Sequence, residues 1–244
     1  MSNTEHSFSL HDMAKAGVHV GHHTSKWHPK MKPFIYGSRN KFHVINLENT
    51  SVLLQEALTK IEDIVSSGKD VTFVATKKHV VPLVKESALE AEMPYVVKRW
   101  VGGVFTNRKV ISKRVKQLKQ LEDKLAQGKL QSYTKKERKV FQDKVEKGNK
   151  LFEGLKNMKG LPGAIFVEDV NRDILAIKEA RTVGIPVIGL VDTNTNPELV
   201  DYPIPANDDA LSSVSYIYQR VVEVIKESKK KRAQLDTEED SQSK

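Results

Sequence analysis

An α/β fold, with a parallel sheet covered by helices on both faces and a helical hairpin inserted into it, follows from three observations in this chain of 244 residues. The runs VTFVA (Val71 to Ala75), AIFVE (Ala164 to Glu168) and PVIGLV (Pro186 to Val191) are unbroken apolar stretches, the pattern of strands buried on both faces. Helix-period segments separate them, which is the alternation of a parallel sheet. From Arg108 to Lys159 the alternation is interrupted by 17 Lys or Arg and 6 Asp or Glu, a net of +11, whereas the whole chain carries +9. The remainder is therefore close to neutral, at −2.

The elements follow in order. Residues 1–47 are rich in His, Lys and aromatics and are interrupted by Gly21, Pro29, Pro33 and Gly37, so they read as loop with short strands, HVINL (His43 to Leu47) being the clearest. Asn49 or Thr50 caps a helix whose apolar face is Leu53, Leu54, Ala57, Leu58, Ile61, Ile64 and Val65, and Gly68 stops it. After VTFVA a helix runs from about Lys78 to Ala91, then a short strand begins at Tyr95. In the second half, a helix from Asp173 to Val183 ends at Gly184, and a last helix opens at Asn207, Asp208 and Asp209. That helix buries Val214, Ile217, Tyr218, Val221, Val224 and Ile225.

The basic segment divides into two helices. Ile111, Leu118 and Leu125 recur every seven residues, with Val115 and Leu121 in the same stripe. Gly128 begins a turn, and Thr134 with Glu137 forms a capping box. Phe141, Val145, Phe152 and Leu155 form the second stripe, with Gly148 inside it as an expected weak point. Two such stripes joined by a short loop predict an antiparallel coiled-coil hairpin. The expected organisation is a discontinuous globular domain over 1–107 and 160–228, the hairpin over 108–159, and a disordered charged tail over 229–244.

Composition narrows the chemistry. The absence of cysteine excludes disulfides, thiolate metal sites and cysteine nucleophiles. The first residues hold no Lys or Arg and no long apolar run, so they do not read as a targeting peptide, and no stretch approaches a membrane span. No phosphate loop, dinucleotide fingerprint, nucleophile elbow or H-E-x-x-H is present. Gly102-Gly103 after a strand could approach a phosphate, but a tight turn is the commoner use. VDTN (Val191 to Asn194) lies past a strand's C-terminal end, where α/β ligands bind, and Asp192 there could meet Asp208 and Asp209. Asx turns and helix caps explain the same residues without catalysis. Seven of the eight histidines precede residue 44, without a familiar metal-ligand spacing.

Positive charge marks the surface. Residues 26–41 interleave Lys26, Lys30, Lys32, Arg39 and Lys41 with Trp27, Phe34 and Tyr36, contain His28, and hold no acid. Cations for phosphate and aromatics for bases are what folded RNA requires. Trp27 and Phe34 could equally anchor the loop to the core, and for Trp27 the anchor is the favoured reading. Lys98 and Arg99, with Asn107, Arg108 and Lys109, form a second patch leading to Lys113 and Lys116 on the hairpin. Leu161 to Leu211 is the opposite case, with 3 basic and 9 acidic residues, and is expected to face away from RNA.

The block GVHVGHHTSKWHPKMKPFIYGSRNKFHVINLENT resembles the opening of the family of small ribosomal subunit protein 2, bacterial type. VTFVATKKH, KRWVGGVFTN and LPGAIFVEDVNRDILAIKEARTVGIPVIGLVDTNTNPELVDYPIPANDDAL are similar to its later blocks, in the same order, over about residues 8 to 227. Gly163 and Asn171-Arg172 depart from that pattern. The resemblance implies a three-layer α/β/α sandwich with a flavodoxin-like parallel sheet of five strands. It also implies a cytoplasmic, ribosome-bound, non-enzymatic component of the small subunit. Such a protein binds small-subunit rRNA between head and body, touches other small-subunit proteins and supports docking of small ribosomal subunit protein 1. It needs no small-molecule substrate, membrane or cofactor. A divalent metal on Asp192 and Asp208, with His19, is an implied extra. The competing readings are a nucleotide-dependent enzyme on the same sheet and a free RNA-binding regulator.

Overall fold

The computed structural model describes residues 8–131, 133–158 and 160–242, with 235–242 as backbone only. Its centre is a five-stranded parallel sheet in the order β5-β4-β6-β7-β8, formed by β4 (Val71–Val74), β5 (Tyr95–Val96), β6 (Ala164–Val167), β7 (Val187–Val191) and β8 (Tyr202–Pro205). The two-residue period of each strand feeds two cores. Phe73, Phe166, Ile188 and Leu190 point to a face covered by α2 (Leu47–Ser66), α3 (Val81–Glu90) and α7 (Leu211–Gln242). Val74, Ile165, Val167 and Val187 point to the other, covered by α6 (Ile174–Thr182) and the root of the inserted hairpin. The expected three-layer sandwich is the observed architecture. Tyr218 of α7 is fully buried edge-on against Phe73 and Phe166, with ring centroids 5.5 and 5.0 Å away.

Several boundaries differ from those expected, each for a local reason. Helix α2 starts three residues early because the Asn46 side chain accepts the Glu48 N–H at 2.9 Å. Thr50, expected as a cap, is buried instead and donates its hydroxyl to the Pro205 carbonyl at 2.6 Å. Strand β8 escaped the sequence reading because Pro203 and Pro205 argue against a strand; it lies at the sheet edge, where missing donors are tolerated. Gly68 and Gly184 do end their helices, at φ of +81° and +72°. The segment from Lys229, expected to be disordered, continues α7 to Gln242. Lys229 donates to the Ala91 carbonyl at 2.8 Å and Lys231 pairs with Glu62 at 2.9 Å, so the helix is tied to α2 and to the end of α3 where apolar periodicity has run out.

Ahead of α2, a short helix α1 (Leu10–Lys15) leads into a separate three-stranded antiparallel sheet, order β1-β3-β2, of β1 (Val20–His23), β2 (Ile35–Arg39) and β3 (Phe42–Ile45). The stretch read as open loop is thus partly a 3₁₀ turn over Pro29–Phe34 and partly strand.

The insertion is a pair of contacting helices, α4 (Arg108–Ala126) and α5 (Lys135–Phe152), joined across the turn at Gly128. The predicted capping box of Thr134 and Glu137 is formed in both directions. Ile111, Val115, Leu118, Phe152 and Leu155 are buried at its root, whereas Leu125, Phe141 and Val145 further out are only half-buried. Gly148 makes no break in α5. The Leu118 side chain lies over it, and an added Cβ would stand 2.6 Å from Leu118 Cδ1, so close packing is the glycine's role.

Candidate nucleic-acid interface

The places where an α/β sheet ordinarily binds a ligand are filled here by the chain's own side chains. The strand order reverses between β4 and β6, and the crevice beyond their C-terminal ends is the usual site. Lys77, which follows β4, projects into it with only 11% of its side chain exposed. Its ammonium lies 2.8 Å from Asp208, 2.9 Å from Asp209, 3.1 Å from Asp169 and 3.7 Å from Glu168. Burial would lower the Lys77 pKa, but Asp208 and its neighbours hold it well above the ordinary lysine value. One cation cannot neutralise four carboxylates. Glu168, farthest away and fully buried with no hydrogen bond on either oxygen, is pushed by burial to a pKa of about 9 and keeps its proton. Burial likewise raises Asp208 to about 7, helped by the charge of Asp192. The acidic segment expected to face away from RNA sends Glu168, Asp169, Asp192 and Asp208 inward.

VDTN clamps the N-terminal segment onto this crevice. Thr193 Oγ1 accepts the His22 N–H at 2.9 Å and the Thr193 carbonyl accepts the His28 N–H at 2.7 Å. Gly21 permits the approach, since a Cβ there would lie 2.6 Å from Thr193 Cγ2. The His22 ring bridges Asp192 at 3.1 Å and Asp209 at 3.2 Å through its two nitrogens, and the Asp192 hydrogen bond leads the raising of its pKa. His19, the expected partner, is not in this group. A metal would find His22, Asp208 and Asp209 within 4.8 Å of one another, but Lys77 already occupies their common focus and both His22 nitrogens face carboxylates. To use this donor set a divalent ion would have to displace the Lys77 ammonium from Asp208 and Asp209.

Gly102-Gly103 is used in the same way. Gly103, at φ +94°, and Phe105 turn their N–H groups to the buried carboxylate of Glu179, at 2.5 and 3.1 Å. The nest that could have cradled a phosphate holds an internal anion.

The cations read as RNA contacts are arranged differently. Lys26, Lys32, Arg39, Lys41, Lys98, Arg99, Lys109, Lys113 and Lys116 are exposed, and none is in an ion pair among the described residues. Asn107 is exposed at the start of α4. Three residues expected at the RNA have structural duties. Lys30 pairs with Glu198. His28 accepts the Lys30 N–H through Nδ1. Arg108 donates to the carbonyls of Met158 and Gly160, clasping the two ends of the insertion. Trp27 is 39% exposed and leans on His43 at 5.6 Å, so it both anchors and shows an edge to solvent. Sequence reasoning missed Lys77, because one lysine in a basic chain gives no sign of burial. It also missed Phe42, exposed by 48%, whereas Tyr36, already among the aromatics read from the sequence, is exposed by 82%.

The departures from the family pattern also have local partners. Gly163 leaves room for Ile64, Asn171 donates to Thr195 at 2.8 Å, and Arg172 donates to Thr76 at 2.9 Å. Comparison with known proteins agrees with the resemblance. The family described as ribosomal protein S2 matches residues 13–228. The small ribosomal subunit protein uS2 of Psychrobacter sp. (strain PRwf-1) is 45% identical over 225 residues, 92% of this chain and 86% of that protein. Its counterpart from Idiomarina loihiensis is 44% identical over 91% of both chains, and that from Pseudoalteromonas atlantica 43% identical over 95% of both.

Proposed function

The chain belongs to the ribosomal protein S2 family, and from that premise we propose that it is a structural, non-enzymatic constituent of the small ribosomal subunit that grips rRNA through its hairpin and N-terminal sheet. The observation that carries this reading is the contrast in charge placement. The crevice at the strand ends is closed by Lys77 and its carboxylates, while the unpaired cations stand outside on the hairpin and around residues 26–41 and 98–109. Phosphate attracts such a surface at long range and is bound with release of counterions. A position between head and body, a cytoplasmic ribosome-bound state and support for docking of small ribosomal subunit protein 1 belong to the same proposal. So does independence from any cofactor. No described helix is long and apolar enough to cross a membrane.

Sedimentation with small subunits through a gradient at several salt concentrations tests the reading. The protein should travel with the subunits at low salt and leave them as salt rises. Replacing Lys113, Lys116 and Lys119 with Ala should preserve helicity, since Ala is a strong helix former. It should also flatten the log–log salt dependence by about 2 to 3, at roughly 0.7–0.9 for each phosphate no longer neutralised. A protein that stays in the soluble fractions at every salt concentration is an enzyme or a free regulator, and that result ends the proposal.

A further inference from the structure

We propose that the outer face of the β1-β3-β2 sheet is a stacking site for an unpaired RNA nucleotide, with Phe42 against the base and Arg39 and Lys41 on the phosphate. The inference rests on the RNA-binding reading above and names the ligand of one part of that surface. Strand register fixes the face. Arg39 pairs with Phe42 and Phe42 with His23; two residues along β2 and β3, Gly37 pairs with Val44, which pairs with Val20 across a bulge in β1. Residues opposite one another, and those two apart on one strand, share a face. These two rows therefore form one surface, and it is not core: Phe42 is 48% and Val20 41% exposed, and nothing lies within 4 Å of a Cβ built on Gly37. His23 meets the Phe42 ring edge-on at 5.7 Å, which steadies the ring and covers at most one of its faces. Tyr36, at the bulge in β2 next to Gly37, is itself 82% exposed.

The turn supplies an independent observation. Asn40 and Lys41 are the two central residues of the β2–β3 hairpin, at φ of +51° and +67°. A type I′ turn of this kind favours Gly at the second position, and Asn suits the first. A lysine there is backbone strain, which is retained where the side chain is used. It sets a cation beside Phe42 and Arg39, and neither Arg39 nor Lys41 has an ion-pair partner among the described residues. Residues 26–47 contain no acid at all. An apolar shelf whose own segment brings cations and no acid suits a base with its phosphate; stacking tolerates any sequence because every base has a π-face.

Affinity of the full chain for a mixed-sequence single-stranded octaribonucleotide, measured beside an eight-base-pair RNA duplex, tests the site. Phe42→Leu keeps apolar bulk and should weaken single-strand binding about 5- to 100-fold while leaving the duplex within about 2-fold; Phe42→Tyr should restore it. Lys41→Gly should raise the melting temperature while lowering the single-strand salt slope by about 0.7. Equal single-strand affinity in Phe42→Leu and wild type, or equal losses on both RNAs, overturns the stacking site. Wild-type sedimentation with small subunits is measured in parallel. If it persists while Phe42→Leu changes nothing, only this inference fails; if it is absent, the ribosomal reading fails.

Discussion

The hairpin and the Lys77 crevice handle charge in opposite ways. In the hairpin a narrow apolar seam holds two helices together and, among the described residues, only Lys139, Lys150 and Lys156 of its cations are in ion pairs. In the crevice four acidic side chains converge on one buried ammonium, and six of the nine acids of the most acidic segment are buried. Charge on the hairpin is there for something else to neutralise. Charge in the crevice is neutralised within the fold, and it occupies the position where a related sheet would take a ligand. Net charge along a sequence therefore says where a partner can be, but it says nothing about depth.

The sharpest way to break the contrast is to remove its centre. Lys77→Met leaves Asp169 and Asp208 buried without a counter-charge beside the protonated Glu168, and stripping one partner from a buried pair costs about 3–5 kcal/mol. Urea unfolding should show that loss. A change below about 1 kcal/mol would mean that the carboxylates simply take up protons. Leu118→Asp is the corresponding test of the hairpin. Leu118 is 7% exposed and packs on Gly148, so an unpartnered carboxylate there should cost about 3 kcal/mol locally. It should open α4 from α5, seen as lost helicity and new proteolytic cleavage within 108–159. The sheet domain should keep its own cooperative melting, because the crevice lies at the strand ends. Collapse of the whole fold would show that the hairpin root is part of the central core and not an appendage.

The crevice also predicts a pH dependence that the hairpin lacks. Glu168 at about 9, Asp208 at about 7 and Asp173 at about 6 all lie above their unfolded values, so folding takes up protons. A raised carboxyl favours the fold while protonated, and that advantage is lost as pH climbs from the unfolded to the folded pKa. His22, also raised, contributes stability below its unfolded pKa and loses it as pH rises through its folded one. Asp209 is the exception, held low against the effect of burial by Lys77, and it titrates below this range, so melting temperature should fall between about pH 5 and 9. Glu168→Gln should flatten that slope and, at pH 8, raise stability by about 1–3 kcal/mol. A melting temperature that rises over the same range would contradict the placement of these carboxyls.

What the sequence disclosed follows from periodicity. Unbroken apolar runs and 3.6-residue stripes located most of the helices and strands around the two cores, and Thr134 with Glu137 located a helix start to the residue. The misses have physical causes. Strand β8 is hidden by two prolines that only an edge position tolerates, and the helix beyond Lys229 is held by long-range lysine contacts that leave no local pattern. At the site, the exposed lysines were legible as composition. The inward turn of Glu168 and Asp208 was not, because their partner Lys77 is 91 and 131 residues away. His22 rather than His19 reaches the cluster because Thr193, next to Asp192, accepts its backbone N–H within β1, whereas His19 lies before that strand, a difference of position that a run of histidines does not announce.

The smallest effect expected is at Trp27, where the two regions meet. Its ring leans on His43, and the next residue, His28, donates its N–H to Thr193 at the crevice. At 39% exposure the ring gives up less on truncation than a fully buried tryptophan, so Trp27→Ala should cost about 1–2 kcal/mol against the roughly 3–5 of a core site. Loosening here would also tilt the cations of residues 26–32, so subunit affinity should fall a few-fold in step with stability. Melting and sedimentation measured on the same variant separate the two roles. Parallel losses make Trp27 the peg that fixes a charged loop to a neutralised crevice. Unchanged melting with a loss of RNA binding as deep as that of Phe42→Leu would instead place Trp27 on the RNA, extending the stacking surface around the edge of the sheet.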